Sequence, residues 1–158
     1  MEKPILTNLL TLIKENKHDI NKIKMSYCSL LSQLSECPIV SDQDFYKKIK
    51  DIEQVDGTIF ILHFNKVSSD DFKIVASGTI LIEPKILHNS FAGHIEDIVV
   101  DSNYRGYGLA KTILNTLKTY ALEHKKCYKI ILDCKEDLIQ FYEKNDFVVK
   151  GVQMSKYN

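Results

Sequence analysis

The sequence predicts an α/β fold: a mixed, mostly antiparallel sheet flanked by helices. Three observations carry that reading. Strand patterns at 58–65 and 72–83 are separated by the polar loop Ser68-Ser69-Asp70-Asp71, which makes them a hairpin. A third strand pattern, ending in Ile98-Val99-Val100, passes through a glycine-bearing turn directly into a helical pattern at 109–124. Strand, helix and strand patterns then follow at 127–134, 136–145 and 147–154. Hairpin strands interleaved with crossover helices give a layered sandwich around a mixed sheet.

Taken in order, residues 9–14 alternate loosely and read as a short first strand. Residues 18–34 read as a helix, because Ile20, Ile23, Tyr27, Leu30, Leu31 and Leu34 recur at helical spacing. The segment 35–41 is a connection, since Pro38 disfavours helix at Cys37. Ser41 or Asp42 caps a second helix that has acids in its first turn and carries Phe45, Ile49 and Ile52. Asp56-Gly57 turns the chain into the hairpin, whose second strand contains Gly78. Residues 84–90 form a loop with Lys85 and His88. On the central strand, Ile95 alternates with polar neighbours before the run Ile98-Val99-Val100, which suits burial on both faces. Strand alternation would put Glu96 and Asp97 on opposite faces. In the helix that follows, Leu109, Ile113, Leu114, Leu117, Tyr120 and Ala121 share one side.

A chain of 158 residues with 44% hydrophobic and 27% charged residues is ordinary for a single globular domain, here spanning 1–158. Lys+Arg and Asp+Glu both number 21, which argues against a nucleic-acid binder driven by bulk charge. No apolar run approaches membrane-spanning length, and the first residues lack the pattern of a secretory signal. Cys28, Cys37, Cys127 and Cys134 form no Cys-x-x-Cys pair and have no paired His spacing. No metal site is expected, and the cysteines read as reduced small hydrophobes of a cytoplasmic protein.

The chemistry centres on the turn. Asp101 to Asn103 ends the central strand, and Arg105-Gly106-Tyr107-Gly108-Leu109-Ala110 leads into the helix. Amides at a helix start lack intrahelical partners and point outward, and the helix dipole favours negative charge there. Gly106 and Gly108 remove side chains that would hold a phosphate away, and Arg105 adds a fork of donors. The turn therefore reads as a pyrophosphate site. It lacks the Gly-Lys-Ser/Thr of a phosphate-binding loop and the third glycine and later acid of a dinucleotide fold.

What it does match is Arg/Gln-x-x-Gly-x-Gly/Ala after an apolar strand, met by Arg105, Gly108 and Ala110. This resembles the acyl-CoA turn of the GNAT-type N-acetyltransferase superfamily, and the order of elements resembles that fold. Further pieces resemble the glucosamine-6-phosphate N-acetyltransferases in particular: Gly93-His94-Ile95-Glu96-Asp97-Ile98, Cys127-Tyr128-Lys129-Ile130-Ile131-Leu132-Asp133-Cys134, Phe141-Tyr142-Glu143-Lys144 and Lys85-Ile86-Leu87-His88. The resemblance covers 59–154 well and the first third weakly.

The resemblance implies an acetyl-CoA-dependent enzyme that acetylates D-glucosamine 6-phosphate by direct transfer in a ternary complex, within UDP-N-acetylglucosamine biosynthesis, as a homodimer and without a metal. It implies that acetyl-CoA meets Arg105, Gly106, Tyr107, Gly108, Leu109 and Ala110, and that its pantetheine arm lies as a pseudo-strand beside the backbone of Ile98, Val99 and Val100. Tyr142 would serve the departing thiolate. Glu96 and Asp133 would act on the amine, with either carboxylate open as the base. Ser35, Lys85, His88, Glu96, Asp97 and Asp133 would meet the sugar phosphate. Three departures from the family pattern follow. Leu138 stands where the family usually has an Asn that fixes the CoA arm, which predicts a lost or replaced contact. Asp146 replaces a usual Gly, which predicts a strained or rebuilt turn. The tail Ser155-Lys156-Tyr157-Asn158 lacks the arginine that the family can lend to a partner's phosphate site, where Lys156 would serve instead. The same elements would also serve acetylation of another small amine or a protein N-terminus, or a non-catalytic CoA-binding module.

Overall fold

The computed structural model describes residues 3–158. Strand β1 (Ile5–Asn8) leads into helices α1 (Leu9–Glu15), α2 (Ile20–Leu31) and α3 (Asp42–Gln54). Strands β2 (Gly57–Phe64), β3 (Lys73–Lys85) and β4 (Ser90–Val100) follow, then α4 (Leu109–Thr119), β5 (Lys129–Leu132) and α5 (Ile139–Glu143). The strands form one sheet in the order β1-β2-β3-β4-β5, antiparallel except for the parallel pair β4–β5. The expected mixed, mostly antiparallel sheet is present.

Helices cover both faces. On one side Leu9, Ile13, Ile23, Leu30, Phe45 and Ile49 pack against Ile61, Ile74 and Val99. On the other, Ile113, Leu114, Leu117 and Ala121 pack against Val75, Ile80, Ile82 and Ile95. Most of these side chains are fully buried, and the burial of each contributes about 1.5–3 kcal/mol. Between the first two long helices, buried Lys24 reaches Asp42 at 2.7 Å and donates to the Val40 carbonyl at 2.8 Å. The N-terminus of α3 forms as expected, with Ser41 Oγ accepting from the Asp44 N–H at 3.0 Å.

Several boundaries differ from the sequence reading. Residues 9–14 are helix, not strand: Asn8 caps α1 by accepting from the Thr11 N–H at 3.0 Å. Leu9, Leu10, Leu12 and Ile13 are buried at helical spacing, and the strand is the segment before them. The helix read at 18–34 opens as a 3-10 turn (Lys17–Asp19) and ends at Leu31. The supposed loop 84–90 is shorter, because β3 continues to Lys85 and β4 begins at Ser90. After Thr119 the helix widens into a π-turn (Tyr120–His124). The segment read as a helix at 136–145 is a 3-10 turn (Glu136–Leu138) followed by α5.

The last strand, 147–154, does not form. A strand requires a partner edge, and among the described residues this segment pairs with none. It leaves Val148, Val149, Val152 and Met154 exposed, as is Tyr157 beyond it.

The pairing of β3 with β4 carries an irregularity that shapes the site. The register shifts between Ser77 and Thr79, and Asp97 adopts a left-handed backbone with φ 52°. This is a β-bulge, with one extra residue on β4. Gly78 lies opposite it and lets α4 press on the sheet: a Cβ there would sit 2.6 Å from Ile113 Cγ2 and 2.8 Å from Leu117 Cδ1.

Candidate active site

The bulge corrects the expected placement of Glu96 and Asp97. Ile95 and Ile98 both face the α4 side, although three residues apart, because the bulge absorbs one step of alternation. Val99 then faces the opposite side, and Asp97 lies close enough to Tyr27 of α2 for its charge to act on that hydroxyl. The two acids are therefore not divided between the faces as a regular strand would divide them.

Beyond Ile95, β4 loses its neighbour. β5 pairs with it only from Ala92↔Lys129 to Ile95↔Leu132. Asp101 donates its N–H to Val75 O at 2.9 Å, so the intervening Val100 turns its own N–H and carbonyl away from β3, toward the gap. Of the three residues expected to offer free backbone, Val99 stands opposite Ser77 of β3, and Val100 faces the gap, where its carbonyl accepts from Arg105 Nε at 3.3 Å. Asp133 and Cys134, just past the end of β5, form the other lip of this wedge.

The glycine turn stands at the wedge's open end. Gly106 and Gly108 have φ of 84° and 78°, a left-handed backbone that glycine adopts without steric cost. A Cβ on either would meet nothing within 4 Å, so the turn is open rather than plugged by neighbours. Gly108 is the N-cap of α4 with no side-chain cap, and the helical bonding begins with Thr112 N–H to Gly108 O at 3.0 Å. The amides before Thr112 are left for a ligand or solvent. Tyr107 is exposed, while Leu109 and Ala110 begin the helix half-buried.

The preceding residues pin the turn in place. Buried Asp101 accepts from the Asn103 N–H at 2.9 Å and pairs with Lys73 at 2.9 Å. The Ser102 N–H donates to Gln33 Oε1 of the segment after α2 at 2.8 Å.

Tyr142 of α5 is buried between Phe141 and Phe147, edge-on to both. Burial, with Cys134 nearby, pushes its hydroxyl above the ordinary tyrosine range, so it keeps its proton and is a donor at neutral pH. Asp146 adopts φ 73° after α5, the left-handed turn where glycine would be at ease, and its carboxylate accepts from Lys118 Nζ at 2.9 Å. The turn is kept rather than rebuilt. Leu138 is exposed. The Cys127 thiol is buried and raised by that burial, which makes it a poor nucleophile.

A chain of charges crosses the sheet beside the wedge. Lys85 pairs with Glu83 at 2.9 Å, Glu83 meets His94 Nδ1 at 3.1 Å, and His94 Nε2 lies 3.1 Å from Glu96 and 4.0 Å from Asp133. Glu96 is raised above the usual glutamate range, first by burial and further by Asp97, Asp133 and Glu83, with His94 opposing. The structure thus gathers Lys85, Glu96 and Asp133 into one cluster.

Other expected substrate residues lie apart from it. His88 stacks on Tyr128 with ring centroids 4.4 Å apart, in an exposed turn where both His88 and Asn89 are left-handed. Ser35 is exposed past α2, and Lys156 lies in the exposed tail. Sequence reasoning missed Glu83 and His94. The spacing of His94 and Glu96, two apart on a strand, was the available signal; Glu83 becomes their neighbour only through the β3–β4 register.

Comparison with known proteins agrees with this geometry. The model of the Acetyltransferase (GNAT) family matches residues 27–147. A glucosamine 6-phosphate N-acetyltransferase from Dictyostelium discoideum is 41% identical over 140 residues, covering 88% of this chain and 87% of the relative. One from Arabidopsis thaliana is 38% identical over 148 residues, covering 91% and 95%. Among solved structures, glucosamine-6-phosphate N-acetyltransferase from Arabidopsis thaliana superposes with a TM-score of 0.82 at 33% identity, covering 99% of each chain. An acetyltransferase from Trypanosoma brucei gives 0.82 at 29% identity, covering 98% of this chain and 99% of that one. With a splayed β4–β5 wedge, an open glycine turn at its mouth and matches that run nearly end to end, the chain belongs to the acetyltransferase (GNAT) family.

Proposed function

We propose that the chain is an acetyl-CoA-dependent N-acetyltransferase that converts D-glucosamine 6-phosphate to N-acetyl-D-glucosamine 6-phosphate by direct transfer. The observation that carries the chemistry is the wedge, with bare amides at 106–111 at its mouth and the Val100 N–H turned into the gap; a proton-bearing Tyr142 near Cys134 supports the same reading. The amino sugar phosphate is supported by the relatives named above.

Acetyl-CoA supplies the thioester. The turn 105–110 takes its pyrophosphate, with Arg105 and the α4 amides as donors, and the Val100 backbone receives the amide-bearing arm, Ile98 and Val99 flanking it. The sugar amine must be neutral to attack. Glu96 accepts its proton, because burial brings this carboxyl nearer the working pH. Asp133, across the wedge, orients the amine and hydroxyls, and Asp97 adds a contact beside Tyr27. The new C–N bond forms as the C–S bond breaks; Tyr142 gives its proton to the departing thiolate and is restored by the second proton, which the nitrogen sheds as it becomes an amide. Lys85 meets the sugar phosphate, with His88 and Ser35 at the margin.

The same reading has the enzyme as a homodimer in the cytoplasm, on the route to UDP-N-acetylglucosamine. The unpaired tail 147–158, with its exposed valines, and the outer edge of β5, free of a strand partner among the described residues, support an interface there. Lys156 would then reach a partner's phosphate site. The four cysteines are free, in keeping with a reducing compartment. Among the described residues no helix is long and apolar enough to cross a membrane.

The deciding experiment is thiol release from acetyl-CoA with glucosamine 6-phosphate beside unphosphorylated glucosamine. Faster release with the phosphate is expected. Equal rates would remove Lys85 and His88 from their role. Release only with other amines, or with none, would overturn the assignment.

A further inference from the structure

We propose that His94 is a positioning residue for the transfer, holding the Glu96 carboxylate in place through Nε2 while Glu83 fixes the ring through Nδ1. The inference rests on the reading of Glu96 as proton acceptor and goes beyond it, since neither His94 nor Glu83 carries a role so far. Ala92, His94 and Glu96 share one side of β4, and the ring stands between two acids from different strands. Its nitrogens are 3.1 Å from Glu83 and 3.1 Å from Glu96.

Three carboxylates face this ring: Glu83 from β3, Glu96 from β4 and Asp133 from the end of β5, with Asp97 beside Glu96. Like charges this close drive one another apart unless a donor stands between them. The imidazole has two ring nitrogens facing in different directions, so one ring can hold two acids in line. A neutral ring donates to only one of them; a protonated ring donates to both. Lys85 closes the other end by pairing with Glu83 at 2.9 Å, so the ring's anchor is itself anchored. Glu96 sits at the bulge, where the backbone alone constrains it least. A fixed ring two residues away supplies the constraint that the strand does not.

The test compares His94→Ala and His94→Gln with the unmodified enzyme, alone and in a Glu96→Gln background. In His94→Ala, kcat should fall about tenfold with KM for acetyl-CoA changed less than twofold. Because His94 opposes the upward shift of Glu96, its removal should also move the acidic limb of kcat/KM to higher pH. Gln, which can reach one acid but not both, should restore part of the loss. In the Glu96→Gln background, His94→Ala should cost less than a further twofold. Independent, multiplying losses with an unmoved acidic limb would overturn the proposal.

A readout without substrate separates this from the assignment of the reaction. In 15N spectra of the unliganded protein, Glu83→Gln should displace the His94 Nδ1 signal and Glu96→Gln the Nε2 signal. If neither moves, the ring does not hold these acids, whatever amine the enzyme takes. If both move while glucosamine 6-phosphate gives no turnover, the positioning stands and the substrate assignment falls.

Discussion

The two ends of the wedge are built on opposite principles. The turn at 105–108 is nearly bare: two glycines with left-handed backbone, nothing within 4 Å where side chains would be, and amides with no helical partner. The far end is crowded with side chains, with Glu83, His94, Glu96 and Asp133 held against one another across three strands. A pyrophosphate has to be gripped, and main-chain donors fixed by the fold do so with little reorganisation. A proton has to be moved, and only titratable side chains can move it, so their positions must be enforced by neighbours. The contrast implies that damage to the turn registers in cofactor binding, and damage to the crowded end registers in turnover.

The largest effect that sharpens this contrast is at Tyr142. Tyr142→Phe removes the donor and leaves the packing against Phe141 and Phe147, so kcat should fall about a hundredfold with KM for acetyl-CoA nearly constant. Steady-state kinetics with both substrates varied checks this, and a rise in KM alone would erase the contrast. Glu96→Gln comes next, with kcat falling about tenfold or more. In its proposed role as acceptor Glu96 acts only when ionised, and its value is raised, so the activity of the unmodified enzyme should fail on acidification at a pH above the ordinary glutamate range. A pH–rate profile with its acidic limb at or below that range would remove Glu96 as acceptor.

At the other end, Gly108→Ala puts a methyl group at the proposed anion site and forces a φ of 78° that L-residues disfavour by about 1–2 kcal/mol. KM for acetyl-CoA should rise about tenfold while kcat holds within about twofold.

The sequence made the bare end legible and the crowded end only partly so. Gly106 and Gly108 encode their backbone directly, and the apolar run before them marks the strand, so the turn could be read without coordinates. Glu96 and Asp133 were readable as members of motifs. Their meeting around His94 was not, because it depends on the register of β3 against β4 and on a bulge that no local pattern announces. The bulge also defeated simple alternation at Asp97. Residues 147–154 have the composition of a strand, but pairing is a property of two segments, and among the described residues this one pairs with none although the outer edge of β5 is open. The segment at 9–14 failed for a different reason: its apolar residues fit about two helical turns as well as an alternating strand, and the Asn8 cap decided between them.

The smallest effect tests how the bare turn is held rather than how it binds. Asp101 is buried at its base, where it accepts from the Asn103 N–H and pairs with Lys73. Burial alone would raise this carboxyl, but Lys73, the Asn103 N–H and Gln33 outweigh it and hold it below the ordinary aspartate range. A value depressed in the folded state stabilises above the unfolded value, about 3.9, and that contribution is lost as pH falls through the folded value beneath it. Asp101→Asn retains an acceptor for Asn103 but not the ion pair, whose lysine is half-exposed and partly screened. Unfolding by urea should therefore show a loss of about 1 kcal/mol at neutral pH, shrinking toward zero in acid as the native carboxyl is itself protonated. KM for acetyl-CoA should rise no more than about twofold, because the glycines, rather than the aspartate, set the backbone proposed to meet the phosphate. A loss of stability that persists undiminished in acid would mean that Asp101 holds the turn by shape and hydrogen bonding, with its charge contributing nothing.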